Sequence, residues 1–564
     1  MSTHTNTVPN PLRITVGELV ARFIEQCGVR AAFGVISIHN MPMLDAFNSR
    51  SHLPTGIRFV SARGEAGACN MADAYARVTG GLGVCVTSTG TGAGNAAGAL
   101  VEATTAGTPL LHLTGQIESE FLDRDLGFIH EAPAQVAMLQ AVGKAAFRIR
   151  NAATALATLR EAVRLAQTPP CGPVSIEIPI DVQASLLDLP PDLSAPVMTP
   201  LQAAHSDVAA LAAKLQAAKR PLLWLGGGAR GAGKAVQRFI DMGWGVVTSV
   251  QGRGTVPEGH PASLGSYNLQ KPAEDLYAHC DAMLVVGSRL RSNETLRYKL
   301  KLPHNLYRID ANALAQNRAY TSQYFVQGDA QATLNTLANL LQGRMAVEPQ
   351  WQGDVQAARQ QAAAQVDGSL GPYLALKNAV QSQVGSQLWW VRDITLSNSM
   401  WGNRAPLLDH PRAGVHALGG GIGQGLAMAI GTAVANDVHT LGRKTVALIG
   451  DGGFMLNLGE LACAVQEKAN VLLLLMNDAC YGVIKNIQDD IYGSRHCYVD
   501  LHTPDFAQLC ASLQVTHFKL SSADQTQAVL AQALAAPGVV MLEVDMKSYG
   551  SFAAKFAGPI LKKE

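Results

Sequence analysis

The stretches TVALIGDGGF (445–454) and NVLLLLMND (470–478) decide the fold of this 564-residue chain. Each begins with an apolar run of the length of a buried strand and ends in a carboxylate, Asp451 in the first and Asp478 in the second. The residues between them have the pattern of an amphipathic helix, so the two strands are predicted to be parallel neighbours. Because ligands bind at the carboxyl ends of such strands, we expect Asp451 and Asp478 to lie together at one sheet edge.

Two carboxylates at one sheet edge predict a divalent-cation site. Mg²⁺ takes octahedral oxygen ligands and commonly holds a diphosphate beside one or two carboxylates. Gly452 and Gly453 leave backbone N–H groups open to a phosphate at the start of the following helix. A Gly-Asp-Gly turn alone is an ordinary turn in most proteins. Its position after one strand, with Asp478 after the next, favours a site for Mg²⁺ and a diphosphate.

The alternation of strand and helix patterns continues over the whole chain and predicts an α/β fold. A Pro-rich stretch, LDLPPDLSAPVMTP (187–200), reads as a linker, and a polar Ala/Gln-rich stretch (344–371) separates two later α/β regions. We therefore predict three doubly wound parallel-sheet domains and a tail, with the boundaries 1–186, 200–343, 372–550 and 551–564.

The composition excludes several classes of protein. The chain has 44 basic and 43 acidic residues and a net charge of +1, so no nucleic-acid partner is predicted. The apolar run Val471–Met476 is far too short for a membrane span. The nine cysteines are scattered without a CxxC pair, which argues against a disulfide framework and a zinc site. The first ten residues have no secretory pattern, so a cytoplasmic location is expected.

The motif GDGGF (450–454) followed by Asn477-Asp478 resembles the fingerprint of thiamine-diphosphate-dependent enzymes. The chain from about residue 12 to 550 is similar to the acetolactate synthase and benzoylformate decarboxylase group of that family. The resemblance implies thiamine diphosphate and Mg²⁺ as cofactors, with Asp451, Asp478 and the main-chain carbonyl of Cys480 as metal ligands. It further implies cofactor contacts from the motif residues Gly450, Gly452, Gly453, Tyr481 and Gly482.

The segment RGEAGACNMADAYARVTG (63–80) resembles the part of the family that carries its catalytic acid. This implies that Glu65 hydrogen-bonds the aminopyrimidine ring of the cofactor, whereas a glutamate before a helix is otherwise a solvated first-turn charge. In HALGGGIGQGLAMAIG (416–431) the resemblance implies that Ile422 bends the cofactor and that the Gly420 carbonyl accepts from its amino group.

Two further segments are assigned by resemblance. Ser397, Asn398 and Ser399 fall where relatives bind the diphosphate, although they also fit an ordinary turn. Asn95 ends GTGAGN (90–95), a loop that the family uses near cofactor and substrate. This loop lacks GxGxxG spacing, which rejects a Rossmann dehydrogenase.

The segment GGGARGAG (226–233) lies where some relatives hold FAD or ADP. The flavin-facing segments of those relatives are not clearly present, so we predict a vestigial nucleotide fold in place of bound FAD.

The resemblance implies loss of CO₂ from a 2-oxo acid, after which the remaining fragment is protonated or joined to a second carbonyl compound. Ile129-His130-Glu131, after Gly115-Gln116, replaces the Phe-Gln-Glu of acetohydroxyacid synthases, and Ile487 replaces their pocket Trp. Gln116 and His130 are therefore the catalytic candidates of the pocket, beside Glu65. His130 suits proton transfer at neutral pH, and a structural role fits it equally.

The substrate stays open at this stage. HEAPAQ (130–135) resembles a subset of the family that includes a guanidino-oxo-acid decarboxylase, and Asp489 and Asp490 either meet a cationic substrate tail or form a solvated helix face. No role is assigned to Arg392, Asp393 and Arg404.

Several functions remain possible on this scaffold. The leading prediction is a decarboxylase or carboligase of acetolactate-synthase type, a lyase or transferase. The alternatives are a simple decarboxylase of an aromatic or guanidino 2-oxo acid, an acyltransferase or hydrolase, and a catalytically silent regulatory relative. Relatives build each active site from the first domain of one subunit and the third of another, which implies a homodimer or homotetramer.

Overall fold

The computed structural model describes residues 12–385 and 387–556. The chain forms two compact units. The first comprises residues 1–198 with 434–440, and the second comprises residues 199–433 with 441–564. Each unit is of the α/β type, and the second contains two separate sheets. The predicted α/β class with three parallel-sheet domains is confirmed.

The first unit is built on a six-stranded parallel sheet in the order β3-β2-β4-β5-β7-β6, beside an antiparallel pair of β1 and β8. Its strands are β1 (Arg13–Thr15), β2 (Ala31–Gly34), β3 (Arg58–Ser61), β4 (Gly83–Thr87), β5 (Leu110–Gln116), β6 (Ala145–Arg148), β7 (Pro173–Pro179) and β8 (Leu186–Asp188). Its helices are α1 (Val16–Gln26), α2 (Met41–Arg50), α3 (Glu65–Thr79), α4 (Thr91–Ala106), α5 (Gln135–Val142), α6 (Ala152–Gln167) and α7 (Ile180–Ala184).

Local sequence explains these elements. Thr15 caps α1 because its hydroxyl accepts from the Glu18 backbone N–H at 3.1 Å, and the apolar face of the helix is buried. Strands β4, β5 and β7 are buried along their whole length. Both faces of these strands are covered, so that even their polar residues His112, Ser175 and Glu177 are buried.

The central domain holds a five-stranded parallel sheet in the order β10-β9-β11-β12-β13. The strands are β9 (Pro221–Leu225), β10 (Gly245–Thr248), β11 (Ala282–Val286), β12 (Leu306–Asp310) and β13 (Tyr324–Gln327). The helices are α8 (His205–Leu215), α9 (Gly233–Asp241), α10 (Lys271–His279), α11 (Ala330–Leu341) and α12 (Trp351–Ser369).

The Ala/Gln-rich stretch at 344–371 is mostly helical, because it contains α12. Trp351 and Val355 of this helix are fully buried in a cluster with Leu222 of β9. The stretch therefore belongs to the core of the central domain. The Pro-rich stretch predicted as a linker, in contrast, is irregular, since residues 189–204 form neither helix nor strand.

The third domain holds a six-stranded parallel sheet in the order β15-β14-β16-β17-β19-β18. The strands are β14 (Leu388–Arg392), β15 (Gly414–His416), β16 (Lys444–Gly450), β17 (Val471–Asn477), β18 (Thr516–Leu520) and β19 (Val539–Asp545). The helices are α13 (Tyr373–Val384), α14 (Gly425–Val438), α15 (Asp451–Leu456), α16 (Glu460–Gln466), α17 (Gly482–Tyr492), α18 (Phe506–Ser512), α19 (Thr526–Ala535) and α20 (Met546–Tyr549).

The deciding stretches form the centre of this third sheet. β16 and β17 pair in parallel, with Gly450 opposite Met476. The predicted neighbouring strands are thus confirmed, and the residues after them meet at one edge. Across residues 12–385 and 387–556, every helix is too short or too polar to traverse a lipid bilayer.

Candidate active site

Asp451 and Asp478 follow the adjacent ends of β16 and β17. Asp451 is 1% exposed, and its Oδ2 has no hydrogen-bond partner among the described residues. Burial, together with the negative charge of Asp478, raises the pKa of Asp451, and burial raises the pKa of Asp478. A buried and a half-buried carboxylate side by side, with one oxygen lacking a partner, are costly unless a cation joins them. The pair therefore fits a divalent cation.

Cys480 lies beside this pair. Its backbone N–H donates to Asp478 Oδ1 at 3.2 Å. Burial and the nearby carboxylate of Asp478 raise the pKa of the Cys480 thiol to about 12, so the thiol stays protonated at neutral pH. A contribution of Cys480 to a cation site would come from its main chain. Within the described residues, no three side chains of His, Cys, Asp or Glu gather in a way that could hold a metal ion.

A cavity of about 290 Å³ opens at this sheet edge. Ten of the residues expected at the cofactor or metal line it: Gly420, Ile422, Gly450, Asp451, Gly452, Gly453, Asp478, Cys480, Tyr481 and Gly482. Ile394, Thr395, Leu396, Val483, Ile484 and Met546 supply most of the remaining wall. The cavity combines apolar walls with a few polar groups, which is typical of a cofactor site.

Gly482 begins α17 directly against the second carboxylate. A Cβ at this position would lie 2.6 Å from Asp478 Oδ2, so a larger residue would displace the carboxylate. The N–H of the preceding Tyr481 donates to the Val499 carbonyl at 2.8 Å. The chain is thereby fixed where it leaves β17.

Asp393, which had no predicted role, anchors the glycine loop that carries Gly420 and Ile422. Its carboxylate is fully buried and accepts from the backbone N–H groups of Gly423 at 3.1 Å and Gly425 at 3.0 Å. Burial raises the pKa of Asp393 to about 6, against the effect of these hydrogen bonds. Ile422 remains 38% exposed on this anchored loop.

The diphosphate candidates Ser397 and Asn398 are buried, and the cavity wall is formed by the three residues before them. Asn398 begins a π-helical turn, Asn398–Gly402, while Ser399 is half-buried and its N–H donates to the Thr395 carbonyl at 3.1 Å. Ser397 Oγ and Asn398 Oδ1 have no hydrogen-bond partner in the described chain. Thr395 and Leu396 are therefore site residues that the sequence did not reveal.

Arg392 and Arg404 hold the backbone of this turn. An Arg392 Nη1 donates to the Gly402 carbonyl at 3.2 Å, and an Arg404 Nη1 donates to the Ser399 carbonyl at 3.2 Å. Burial lowers the pKa of both guanidinium groups. Both arginines therefore stabilise the turn by hydrogen bonds to its backbone carbonyls.

In the first unit, Glu65 begins α3 and is half-buried. Asn95 Nδ2 donates to Glu65 Oε2 at 3.1 Å. A Cβ at Gly92 would lie 3.1 Å from Glu65 Oε1, so the glycine-rich start of α4 passes directly beside the carboxylate. The structure thus brings together Glu65 and Asn95, two residues expected at the cofactor ring.

Gln116 ends β5 and is buried. Its Oε1 accepts from the Thr89 hydroxyl and the Ile117 N–H, both at 2.8 Å. Gln135, which the sequence did not single out, accepts from the Gly90 N–H at 2.6 Å and donates to Glu177 Oε2 at 2.7 Å. These two glutamines fix the loop between β4 and α4.

His130 is exposed and lies in the left-handed region of backbone space, with φ of 67°. Its ring meets the buried ring of His39 edge to face, with centroids 5.4 Å apart. His39 carries no family motif and was not predicted.

The acidic candidates on α17 are arranged differently. Asp489 pairs with His496 at 2.6 Å and with Lys555 at 3.4 Å, and the His496 contact lowers its pKa to about 2. Asp490 is exposed. His496 and Lys555 already pair with the carboxylate of Asp489. The structure therefore favours a solvated helix face over contact with a cationic substrate tail.

Three parallel α/β sheets with polar clusters at their edges define a multidomain α/β enzyme. The thiamine pyrophosphate enzyme family matches its N-terminal TPP binding domain over residues 14–138, its central domain over 208–337 and its C-terminal TPP binding domain over 397–544. The chain belongs to this family, and it is a thiamine-diphosphate-dependent enzyme.

The relatives of the chain are named as two kinds of enzyme. The chain is 30% identical over 553 residues to a protein of Pseudomonas aeruginosa named "Probable 2-ketoarginine decarboxylase", covering 94% of each chain. It is 26% identical to the large subunit of acetolactate synthase isozyme 1 of Escherichia coli, with 94% of each chain covered. A probable acetolactate synthase large subunit of Methanocaldococcus jannaschii is also 26% identical, over 93% of this chain and 91% of its own.

Proposed function

We propose that this protein is a thiamine-diphosphate and Mg²⁺ dependent decarboxylase of a 2-oxo acid, with or without ligation to a second carbonyl compound. The observation that carries the proposal is the pair of the buried Asp451 and the half-buried Asp478, which line one cavity. Burial raises the pKa of both carboxyl groups, and the charge of Asp478 raises that of Asp451 further; Mg²⁺ with a diphosphate would compensate these charges. Asp451, Asp478 and the Cys480 carbonyl are the proposed metal ligands.

The proposed roles of the other residues follow from their positions. Gly450, Gly452, Gly453, Tyr481 and Gly482 surround the diphosphate. Ile422 supports the cofactor, and Gly420 offers its carbonyl to the cofactor's amino group. Ser397, Asn398 and Ser399 would act through the turn behind the cavity wall.

Glu65 is the proposed acid at the cofactor ring, oriented by Asn95. When bound, the cofactor supplies an electron sink that takes up the electrons freed as the substrate loses CO₂. Gln116 and His130 line the same sheet edge of the first unit as Glu65. We propose that His130 delivers the proton that the substrate carbon takes up after CO₂ has left, because an imidazole exchanges protons near neutral pH.

The fate of the substrate fragment separates the two leading functions. A decarboxylase protonates it and releases an aldehyde, whereas an acetolactate synthase joins it to a second 2-oxo acid. The exposed His130 near Gln116 favours protonation. The similarity to a named 2-ketoarginine decarboxylase supports the same outcome and adds a guanidino 2-oxo acid to the candidate substrates. Acyl transfer to phosphate or hydrolysis remains the second candidate.

The deciding experiment is a panel of 2-oxo acids with aliphatic, aromatic and guanidino side chains. Purified protein with thiamine diphosphate and Mg²⁺ should release CO₂ and aldehyde from at least one of them, and omission of either cofactor should abolish release. Hydroxyketone as the product would indicate ligation instead. Release of an acyl phosphate in phosphate buffer would indicate the second candidate. Absence of CO₂ from the whole panel would contradict the proposal.

Three further properties belong to the same proposal. We expect a homodimer or homotetramer, which light scattering during size-exclusion chromatography would measure. The nine cysteines all lie within the described residues and form no disulfide, which agrees with the expected cytoplasmic location. In the central domain, Gly227–Ala232 forms a short 3₁₀ turn after β9, and we expect no flavin there. Absorbance near 450 nm in the purified protein would contradict that expectation.

A further inference from the structure

His39 is a buried residue whose imidazole makes no hydrogen bond to the described chain. It lies in a 3₁₀ turn, Ile38–Asn40, and is 4% exposed. Its main-chain carbonyl accepts from Gln183 Nε2 at 2.7 Å. Neither nitrogen of its ring makes a hydrogen bond within residues 12–385 and 387–556, and its ring contact is with His130. The mostly buried ring thus has no hydrogen-bond partner in the described chain, and its edge contact with the His130 ring is its side-chain interaction.

Glu118, near His39, is a second residue whose side chain lacks a hydrogen-bond partner. It follows the end of β5, and its Oε2 is buried without a hydrogen-bond partner among the residues described. The carboxylate acts electrostatically on His39, so it lies near that ring. Because the oxygen is buried, it is shielded from a substrate in solution and faces the protein. Its charge acts on the His39 imidazole.

The position of His130 is set by its backbone. A Cβ at Gly90 would lie 2.2 Å from the His130 carbonyl oxygen, so the chain at His130 packs tightly on the loop that precedes α4. The same loop carries Gly92, beside the Glu65 carboxylate. The ring of His130 stays exposed, with the ring of His39 behind it. The exposed and buried rings thus form one unit, which we call the His39–His130 pair.

We propose that His39 is a positioning residue for His130: the edge contact of its buried ring holds the exposed ring at the site and leaves the single proton of the pair on that ring. This inference deepens the proposed function and rests on it. In the step it serves, an N–H bond of the His130 imidazolium breaks and a C–H bond forms on the substrate carbon. The bonding electrons are those left when CO₂ departed. His130 ends neutral and regains a proton from water.

Electrostatics support this division of roles. Burial lowers the pKa of His39, the positive charge of His130 lowers it further, and the carboxylate of Glu118 raises it. The pair therefore resists holding two protons, and the buried ring is the one that stays neutral. The elements packed around the turn, α2, β5 and α7, carry four other titratable groups: Asp45, Arg50, His112 and Asp181. The charges that act on His39 are those of His130 and Glu118.

The first test uses the cofactor-free protein. Histidines labelled at Cε1 with ¹³C are titrated by NMR, and the His39 signal is assigned by its loss in His39→Asn. In His130→Gln, the pKa of His39 should rise because a positive neighbour is gone. In Glu118→Gln, it should fall because a negative neighbour is gone. If neither substitution moves the His39 titration, the pair is not coupled and the proposal is overturned.

The second test separates protonation from the steps before it. Two equivalents of ferricyanide take two electrons from the substrate fragment before it is protonated, so CO₂ release measured with ferricyanide bypasses the proposed role of His130. His39→Asn should lower aldehyde formation by about tenfold, while ferricyanide-coupled CO₂ release should stay within about twofold. The acid limb of the pH profile for aldehyde formation should also shift. His52→Asn, a change at an exposed histidine of the same unit, should alter neither rate.

The outcomes are distinguishable. Equal loss of both rates in His39→Asn would show a purely structural role and overturn the proposal, as would unchanged rates. A wild-type product that is hydroxyketone alone would overturn it too, because that carbon then takes up no proton. Absence of CO₂ release from wild-type protein would show that the proposed function itself is wrong, and the inference would fall with it.

Discussion

Both carboxylate oxygens of Asp393 accept the backbone N–H of Gly423, each at 3.1 Å. Asp393 follows β14, and Gly423 belongs to the loop before α14. The same carboxylate accepts from the Ile394 N–H at 2.6 Å and the Gly425 N–H at 3.0 Å. A buried carboxylate thus replaces the missing hydrogen-bond partners at a helix start and fixes the loop that presents Ile422 to the cavity.

Asp393→Asn should loosen this loop. The amide retains one acceptor oxygen and adds two N–H donors that face other donors, so the loop loses about 1 to 3 kcal/mol of stabilisation. We expect faster amide hydrogen exchange at Gly423 in the cofactor-free protein and about tenfold weaker binding of thiamine diphosphate, since tenfold corresponds to about 1.4 kcal/mol, within that range. Asp490→Asn, on an exposed face of α17, is the matched control. Unchanged exchange at Gly423 would contradict the anchoring role.

The sequence predicts the central strands and the carboxylate pair because both depend on local pattern. β16 and β17 are apolar runs with polar residues directly after them, and parallel pairing brings those residues together. The role of Asp393 has no such signal. Its partners lie on a loop about thirty residues later, and only the folded chain shows that the loop N–H groups converge on one buried acid.

Two other differences have physical reasons. Ser397 and Asn398 are buried where the chain enters a π-helical turn, and Ile394, Thr395 and Leu396 before them line the cavity. The Ala/Gln-rich composition of residues 344–371 predicts a separating stretch, whereas the structure has helix α12 there. Its buried residues nevertheless recur at helical spacing, so a count of periodicity would have found it: Trp351, Val355, Ala358, Ala362 and Val366.

Gln135→Leu should mobilise the segment that carries His130. Gln135 is 1% exposed and connects the Gly90 N–H to the Glu177 carboxylate, which also pairs with Arg148. Leucine leaves the Gly90 donor and one carboxylate oxygen unpaired, which costs about 2 kcal/mol. We expect a lower urea midpoint and faster hydrogen exchange in residues 128–134.

Gln140→Leu serves as the control for Gln135→Leu, because Gln140 lies on the same helix and bonds the Ala146 N–H in an exposed position. It should change stability by less than about 0.5 kcal/mol. Equal effects of the two substitutions would show that the buried network is not what holds the segment.

His112→Gln should reduce the acid sensitivity of the first unit. His112 is fully buried between the Thr87 and Ser175 hydroxyls, and burial lowers its pKa to about 4. The unfolded chain binds a proton near pH 6.5 and the folded chain does not, so stability is present above that pH and is lost as pH falls toward 4. Between pH 7 and pH 5 the loss is about 2 kcal/mol.

Urea unfolding at the two pH values measures this loss. In His112→Gln the difference between pH 7 and pH 5 should shrink by most of that amount, even though the variant is less stable at pH 7. His52→Asn should retain the wild-type difference, since His52 is exposed. An undiminished difference in His112→Gln would assign the acid sensitivity to other groups.

Asp451→Asn should uncouple stability from Mg²⁺. In the metal-free protein the pair of Asp451 and Asp478 holds two carboxylates in a buried place, where they disfavour each other. Removing one charge should leave metal-free stability unchanged or raise it by about 1 kcal/mol, or about 2 °C in melting temperature. Wild-type protein at a hundredfold excess of Mg²⁺ and thiamine diphosphate over their Kd should gain about 3 kcal/mol, and Asp451→Asn should gain almost none.

Asp490→Asn should behave as wild type. A full ligand-dependent shift in Asp451→Asn, measured by differential scanning fluorimetry, would remove Asp451 from the cation site, because a buried carboxylate that binds Mg²⁺ cannot be neutralised without losing the charge that holds the metal.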